Sequence, residues 1–129
     1  VANTRISGTL DLEEQVVLIS ALKNLIPDLS KMQLDKQKLY KRTDDARSAI
    51  KKLNKLETEF TASEMFVMYA AADYLRNMIS DSIANREVSD SDREMAWSTR
   101  RTANQICKKL KLALISVGVD IDKEFGSGI

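Results

Sequence analysis

The sequence predicts an all-α protein: an antiparallel bundle of four or five helices around a central buried helix at about residues 62–84. Three observations predict it. One proline and four glycines interrupt 129 residues, so few positions can break a helix. Apolar residues recur at steps of three and four over most of the chain. Residues 60–84 are apolar around most of the helix circumference, with Asp73 the one strongly polar residue between positions 65 and 75, and such a helix has to be buried. A hydrophobic content of 43% with 30% charge is that of a globular chain, and the length suits one domain with a core of its own.

Residues 1–8 lack periodicity and are expected to form a mobile arm. Asp11, with Glu14 three positions on, has the spacing of a capping box that starts the first helix. That helix is expected over about 12–25, with Leu12, Val16, Ile19, Leu22 and Ile26 on its buried face. Pro27 should end it, because a residue before proline is pushed out of helical geometry, and the second helix should open near Asp28. Leu29, Met32, Leu39, Ala46, Ile50, Leu53 and Phe60 then follow a heptad-like seam interrupted by Lys36, Thr43 and Glu57. The seam fits either one helix of roughly thirty residues, about 45 Å long, or a break at Thr43 that yields a fifth helix. The break is preferred, because Thr43 could cap a helix with Asp44 and Asp45 in its first turn. An unbroken version would outreach the first helix and leave part of its seam for a second copy, so a homodimer is one expectation.

The central helix is announced by Thr61 and Glu64 as a capping box and by Phe60 and Met65 as a hydrophobic staple, which places its first residue at Ala62. Its core residues are expected to be Met65, Phe66, Met68, Ala72, Leu75, Ile79 and Ile83, with Asp73, Arg76, Asn77 and Ser80 on the wet side. A polar connector at 85–90 leads to a last helix capped by Ser91 and Glu94. Its inner face carries Ala96, Ala103, Ile106, Cys107, Leu110, Ala113, Leu114 and Val117, and Gly118 with Val119 forms the C-terminal cap. Residues 119–129 are expected as a short tail.

The composition removes whole classes of chemistry. With no histidine, the Ser/His/Asp relay, histidine zinc sites and the Glu-x-x-His di-iron bundle are excluded. The lone cysteine cannot build a Cys₄ site, and Gly8, Gly118, Gly126 and Gly128 form no phosphate-binding loop. No cofactor or metal is expected, and no catalytic residue is singled out. Cys107 falls in line with Ala103, Leu110 and Leu114 and is expected to be an inert core thiol. The longest unbroken apolar run, residues 65–72, is far too short to cross a bilayer, a membrane partner is not expected, and the absence of a secretory signal leads to the expectation of an intracellular, cytoplasmic protein.

Charge distribution is the one feature above background. The net charge of +1 conceals segregation, with residues 31–55 summing to +6, 56–94 to −6 and 95–129 to +3. In the last helix Trp97, Arg101, Asn104, Lys108 and Lys111 stand at steps of three and four, flanked by Arg100, while Lys38, Lys41 and Arg42 contribute to a basic second helix. These nine residues are the candidate contacts for an anionic partner or a nucleic acid. Three functions follow in order. The first is a non-enzymatic protein-interaction module acting through charged helix faces. The second is a nucleic-acid-binding protein in which the basic stripe follows phosphates and Trp97 stacks on a base or supports Arg101. The third is a small metal-independent enzyme that holds an anion with Arg, Lys and Glu. A near-neutral total, with basic helices able to lie against acidic ones, favours the first.

Overall fold

The computed structural model describes residues 4–5, 10–32, 34–84, 89–121 and 123. Among these, four helices form a small all-α bundle: α1 (Leu12–Leu29), α2 (Lys36–Asn54), α3 (Ala62–Ala84) and α4 (Asp90–Ser116). A two-residue antiparallel ladder joins β1 (Thr4–Arg5) to β2 (Glu59–Phe60), Thr4 opposite Phe60 and Arg5 opposite Glu59. Part of the N-terminal arm is thereby paired with the turn that leads into α3, and the rest of residues 1–8 lies outside the described residues.

Two of the three expected capping boxes close, and the one at Ser91 and Glu94 does not. The Asp11 carboxylate accepts from the Glu14 N–H at 2.8 Å while Glu14 Oε1 accepts from the Asp11 N–H at 3.0 Å. At α3 the Thr61 hydroxyl accepts from the Glu64 N–H at 3.1 Å and Glu64 Oε1 accepts from the Thr61 N–H at 2.8 Å. Each arrangement satisfies two backbone donors that a helix start otherwise leaves unpaired. At the end of α4, Val119 N–H reaches the Leu114 carbonyl and Gly118 N–H the Ile115 carbonyl, both at 3.0 Å, with Gly118 at φ +82°. This is the Schellman pattern with glycine at the left-handed position. The same pattern ends α2, where Glu57 N–H reaches the Lys52 carbonyl and Leu56 N–H the Leu53 carbonyl, but here the left-handed residue is Leu56 at φ +60°.

Several boundaries differ from the sequence expectation. Pro27 does not end α1, which runs two residues further. A proline in the last turn forgoes one hydrogen bond, to the carbonyl of the exposed Lys23, and its own φ is already helical. The second helix opens not at Asp28 but at Lys36, where Asp35 accepts from the Lys38 N–H at 2.8 Å. It has no break at Thr43, whose hydroxyl instead donates to the Leu39 carbonyl one turn back at 2.8 Å. With 18 residues in α1 and 19 in α2 the two differ by one residue, so the length mismatch that suggested a second copy is absent. Ser89 rather than Ser91 caps α4, accepting from the Asp92 N–H at 3.2 Å.

One hydrophobic cluster draws on all four helices, from Leu18, Leu22, Leu25 and Leu29 of α1 through Ala46, Ala49 and Leu53 of α2 to α3 and α4. The buried face of α1 is therefore not the expected one, because Leu12 and Val16 face solvent and Ile19 and Ile26 are half-buried. Along α3 every residue from Glu64 to Ala72 is buried except the half-buried Tyr69, and from Asp73 onward none is. Met65, Phe66, Met68 and Ala72 are core as expected, but Leu75, Ile79 and Ile83 are only half-buried. α4 mirrors this. It has no buried residue before Thr102, Ala96 is half-buried and Val117 exposed, whereas Ala103, Ile106, Cys107, Leu110, Ala113 and Leu114 are buried. The bonds Arg76–Asn104 and Ser80–Arg100 set α3 and α4 antiparallel, so the exposed half of one lies beside the exposed half of the other. Residues 73–84 and 90–101 form a two-helix extension that emerges from the four-helix core. Among the described residues no helix is long and apolar enough to cross a membrane.

Candidate functional site

The sequence-predicted basic residues divide between two places. α1 packs on α2, α3 and α4, and α3 packs on all three other helices, but α2 and α4 are not a packed pair. Lys38, Lys41 and Arg42 therefore do not join the α4 stripe in a single surface. On α2, Arg42 is half-buried with its guanidinium 4.5 Å from the centre of the Phe66 ring, a cation–π contact that ties α2 to α3. Lys41 stands 3.8 Å from Asp45, and Lys38 is half-buried in the first turn. The outward face of α2 instead presents Lys36, Tyr40, Arg47, Lys51 and Lys55, residues that hydrophobic and charge patterns alone could not orient before the helix start at Lys36 was known.

On α4 the stripe is only partly free. Asn104 is half-buried and accepts from Arg76 of α3 at 2.9 Å, and Arg76 is also bonded to Asp73. Arg100, not Arg101, stacks on Trp97, at 5.6 Å, and its Nε donates to the Ser80 hydroxyl at 2.9 Å. The ridge Asp73–Arg76–Ser80 expected on the wet side of α3 is therefore a polar seam against α4. That leaves Arg101, Lys108 and Lys111 exposed on α4 with no ion pair among the described residues, on the helix that also carries the exposed ring of Trp97.

Two buried carboxylates are the functional-looking groups that the sequence did not single out as buried. Glu64 is 3% exposed, and beyond its cap it receives Lys52 Nζ at 2.7 Å and the Ser48 hydroxyl, both from α2. Burial pushes its pKa upward, but the bonds from Lys52, Ser48 and the Thr61 amide outweigh burial and leave it below the ordinary glutamate value. Glu14, 1% exposed, receives Lys109 Nζ from α4 at 2.6 Å on Oε1, while Oε2 has no hydrogen-bond partner among the described residues. Each carboxylate fixes a helix start and a neighbouring helix together, which is a packing role. On the other side of α1, Tyr74 donates to Asp28; that bond lowers the Asp28 pKa and raises that of Tyr74.

No catalytic constellation is assembled from these groups. Cys107 is buried, and desolvation, opposed by Arg76, pushes its thiol up to about 11, so the thiolate is scarce near neutral pH. Among the described residues no group of three His, Cys, Asp or Glu side chains is placed to hold a metal ion. A groove of about 330 Å³ beside the end of α2 is lined by Lys52, Leu56, Glu57, Thr58 and Glu59, but its lysine is already bonded to Glu64. Compared with known protein families, curated proteins and solved structures, the chain matches none.

Proposed function

We propose that the chain is a non-enzymatic protein-interaction module that engages its partner through charged helix faces. The observation that carries this reading is the separation of a filled core from its outward charges. The cations Lys36, Arg47 and Lys51 on α2, Lys55 at its end, and Arg101, Lys108 and Lys111 on α4 are exposed and form no ion pair among the described residues. Surface charge of this kind steers association and sets partner choice more than it stabilises the fold. Cross-linking in extract of the native source, followed by mass spectrometry, tests the reading. A stoichiometric protein partner that Arg101→Glu with Lys108→Glu removes is the expected result. Turnover of a small molecule by the purified chain would contradict it.

Nucleic-acid binding is the second reading, favoured by the exposed Trp97 beside Arg101, Lys108 and Lys111. Against it stands the division of basic residues between helices that do not pack together. Salt-sensitive retention on heparin or DNA that the same double substitution removes would promote it, and the absence of such retention would dismiss it.

A further inference from the structure

We propose that α4 is a self-recognition surface, along whose outward stripe two copies of the chain pair antiparallel. This rests on the interaction-module reading and names a second copy as the partner of its α4 cations. The stripe is what the bundle leaves of α4. Arg100 and Asn104 are bonded to Ser80 and Arg76 of α3, and Thr102 and Lys109 to Glu13 and Glu14 of α1. At about 100° per residue, Glu94, Trp97, Arg101, Lys108, Leu112 and Ile115 share an arc of about 60° that is turned away from both neighbours. Burial agrees with the arc: all six are exposed, Trp97 at 47%, Leu112 at 60% and Ile115 at 56%.

The order of side chains along the stripe selects the occupant. Asp90 and Glu94 open it, Trp97 follows, Arg101 and Lys108 hold the middle, and Leu112 and Ile115 close it. None of these charges has an ion pair among the described residues. Parallel copies would set like charges together, whereas antiparallel copies set the acidic end of one on the basic turns of the other. A two-fold axis between residues 102 and 103 places Trp97 opposite Lys108 of the second copy, a cation–π pairing, with Leu112 one turn beyond to cover the indole. Glu94 then lies within a turn of Lys108 and Lys111 of the second copy, and Arg101 beside its Gln105, an exposed acceptor. Leu112 and Ile115 favour protein over nucleic acid, because aliphatic side chains gain from burial against another apolar surface and nothing from phosphate. Two faces of about 40 by 10 Å bury roughly 800 Å² in total, at the low end of specific interfaces. The dimer is therefore weak, with a Kd of about 10–100 μM, and dilute chain is monomeric.

Sedimentation equilibrium of the intact chain from ~5 to ~500 μM tests this. A monomer–dimer equilibrium that tightens at low salt is expected. Each charge contact occurs twice across the axis, so Glu94→Lys alone and Lys108→Glu alone should each weaken the dimer at least ~10-fold while circular dichroism stays unchanged. Mixed one to one, the two variants should pair with each other to within ~3-fold of the native affinity, because each then meets the opposite charge. Met95→Ser, on the side of α4 shared with Thr102 and Lys109, should change nothing. A chain that stays monomeric at ~500 μM, or charge variants that do not recover on mixing, overturns the proposal. So does a dimer indifferent to both charge variants. If the chain stays monomeric while Arg101→Glu with Lys108→Glu still removes a cross-linked partner of a different sequence, this pairing is wrong and the interaction-module reading stands.

Discussion

The two halves of α3 belong to one continuous helix yet live in different environments. From Glu64 to Ala72 the helix is enclosed by α1, α2 and α4, and its one charge is held by Lys52, Ser48 and its own cap. From Asp73 to Ala84 none of its residues is buried; Tyr74, at the boundary, is bonded to Asp28 of α1, and beyond it half-buried polar groups meet α4: Arg76 with Asn104, and Ser80 with Arg100. The difference teaches that helix length and helix burial are set separately. Capping and propensity carry α3 to Ala84, while enclosure stops where α1 and α2 stop.

Breaking the enclosed half should cost most. Lys109→Met removes the cationic partner of a carboxylate that is 1% exposed and has one oxygen with no hydrogen-bond partner among the described residues, so a loss of about 3–5 kcal/mol is expected in chemical denaturation. A paired truncation sharpens the comparison within α3. Met68→Ala empties a fully buried position and should cost about 2–5 kcal/mol, whereas Ile79→Ala on the extension should cost less than ~1 kcal/mol. Equal losses would abolish the distinction between the halves.

Smaller effects sit at the two Schellman ends, which share a hydrogen-bond pattern and differ in the residue at the left-handed position. Gly118→Ala has open space for its methyl, so only its backbone objects, at about 1 kcal/mol. Leu56→Gly should stabilise by a similar ~1 kcal/mol, because Leu56 is 68% exposed and has little packing to lose. Destabilisation by Leu56→Gly would mean that its side chain holds the end of α2. pH is the gentlest probe. Because the Glu64 pKa is lower in the folded chain, its contribution is fully present above the unfolded glutamate value and is lost as pH falls through the folded one. Asp28 acts in the same direction and Asp45, raised mainly by burial, in the opposite one, so the difference between the native chain and Glu64→Gln isolates Glu64. That difference should shrink in acid.

What the sequence made legible were local signals whose partners are three to five residues apart: the boxes Asp11–Glu14 and Thr61–Glu64, and the Gly118 end. What it hid depended on the other helices. α1 carries two overlapping apolar rows that share Leu22, and the row that won includes Glu14, which no hydrophobic pattern would place inside. Beside its own cap, Lys109, ninety-five residues away, makes that burial tolerable. Asp35 was readable as a cap after the fact, but the Pro27–Asp28 pair offered an equally good start, and tertiary packing of Leu29 chose between them. At the candidate site the stripe positions on α4 were legible. Which of them α3 consumes was not, because Asn104 and Arg100 turn inward only through Arg76 and Ser80.

Native-state hydrogen exchange along α3 and α4 tests the central division most directly. Amides of residues 65–72 and 103–114 should exchange only through global unfolding, with protection that follows total stability in denaturant. Those of residues 77–84 and 91–99 should open through a separate, cheaper event. Uniform protection from Ala62 to Ala84 would contradict the account, because it would show the extension to be as firmly held as the core.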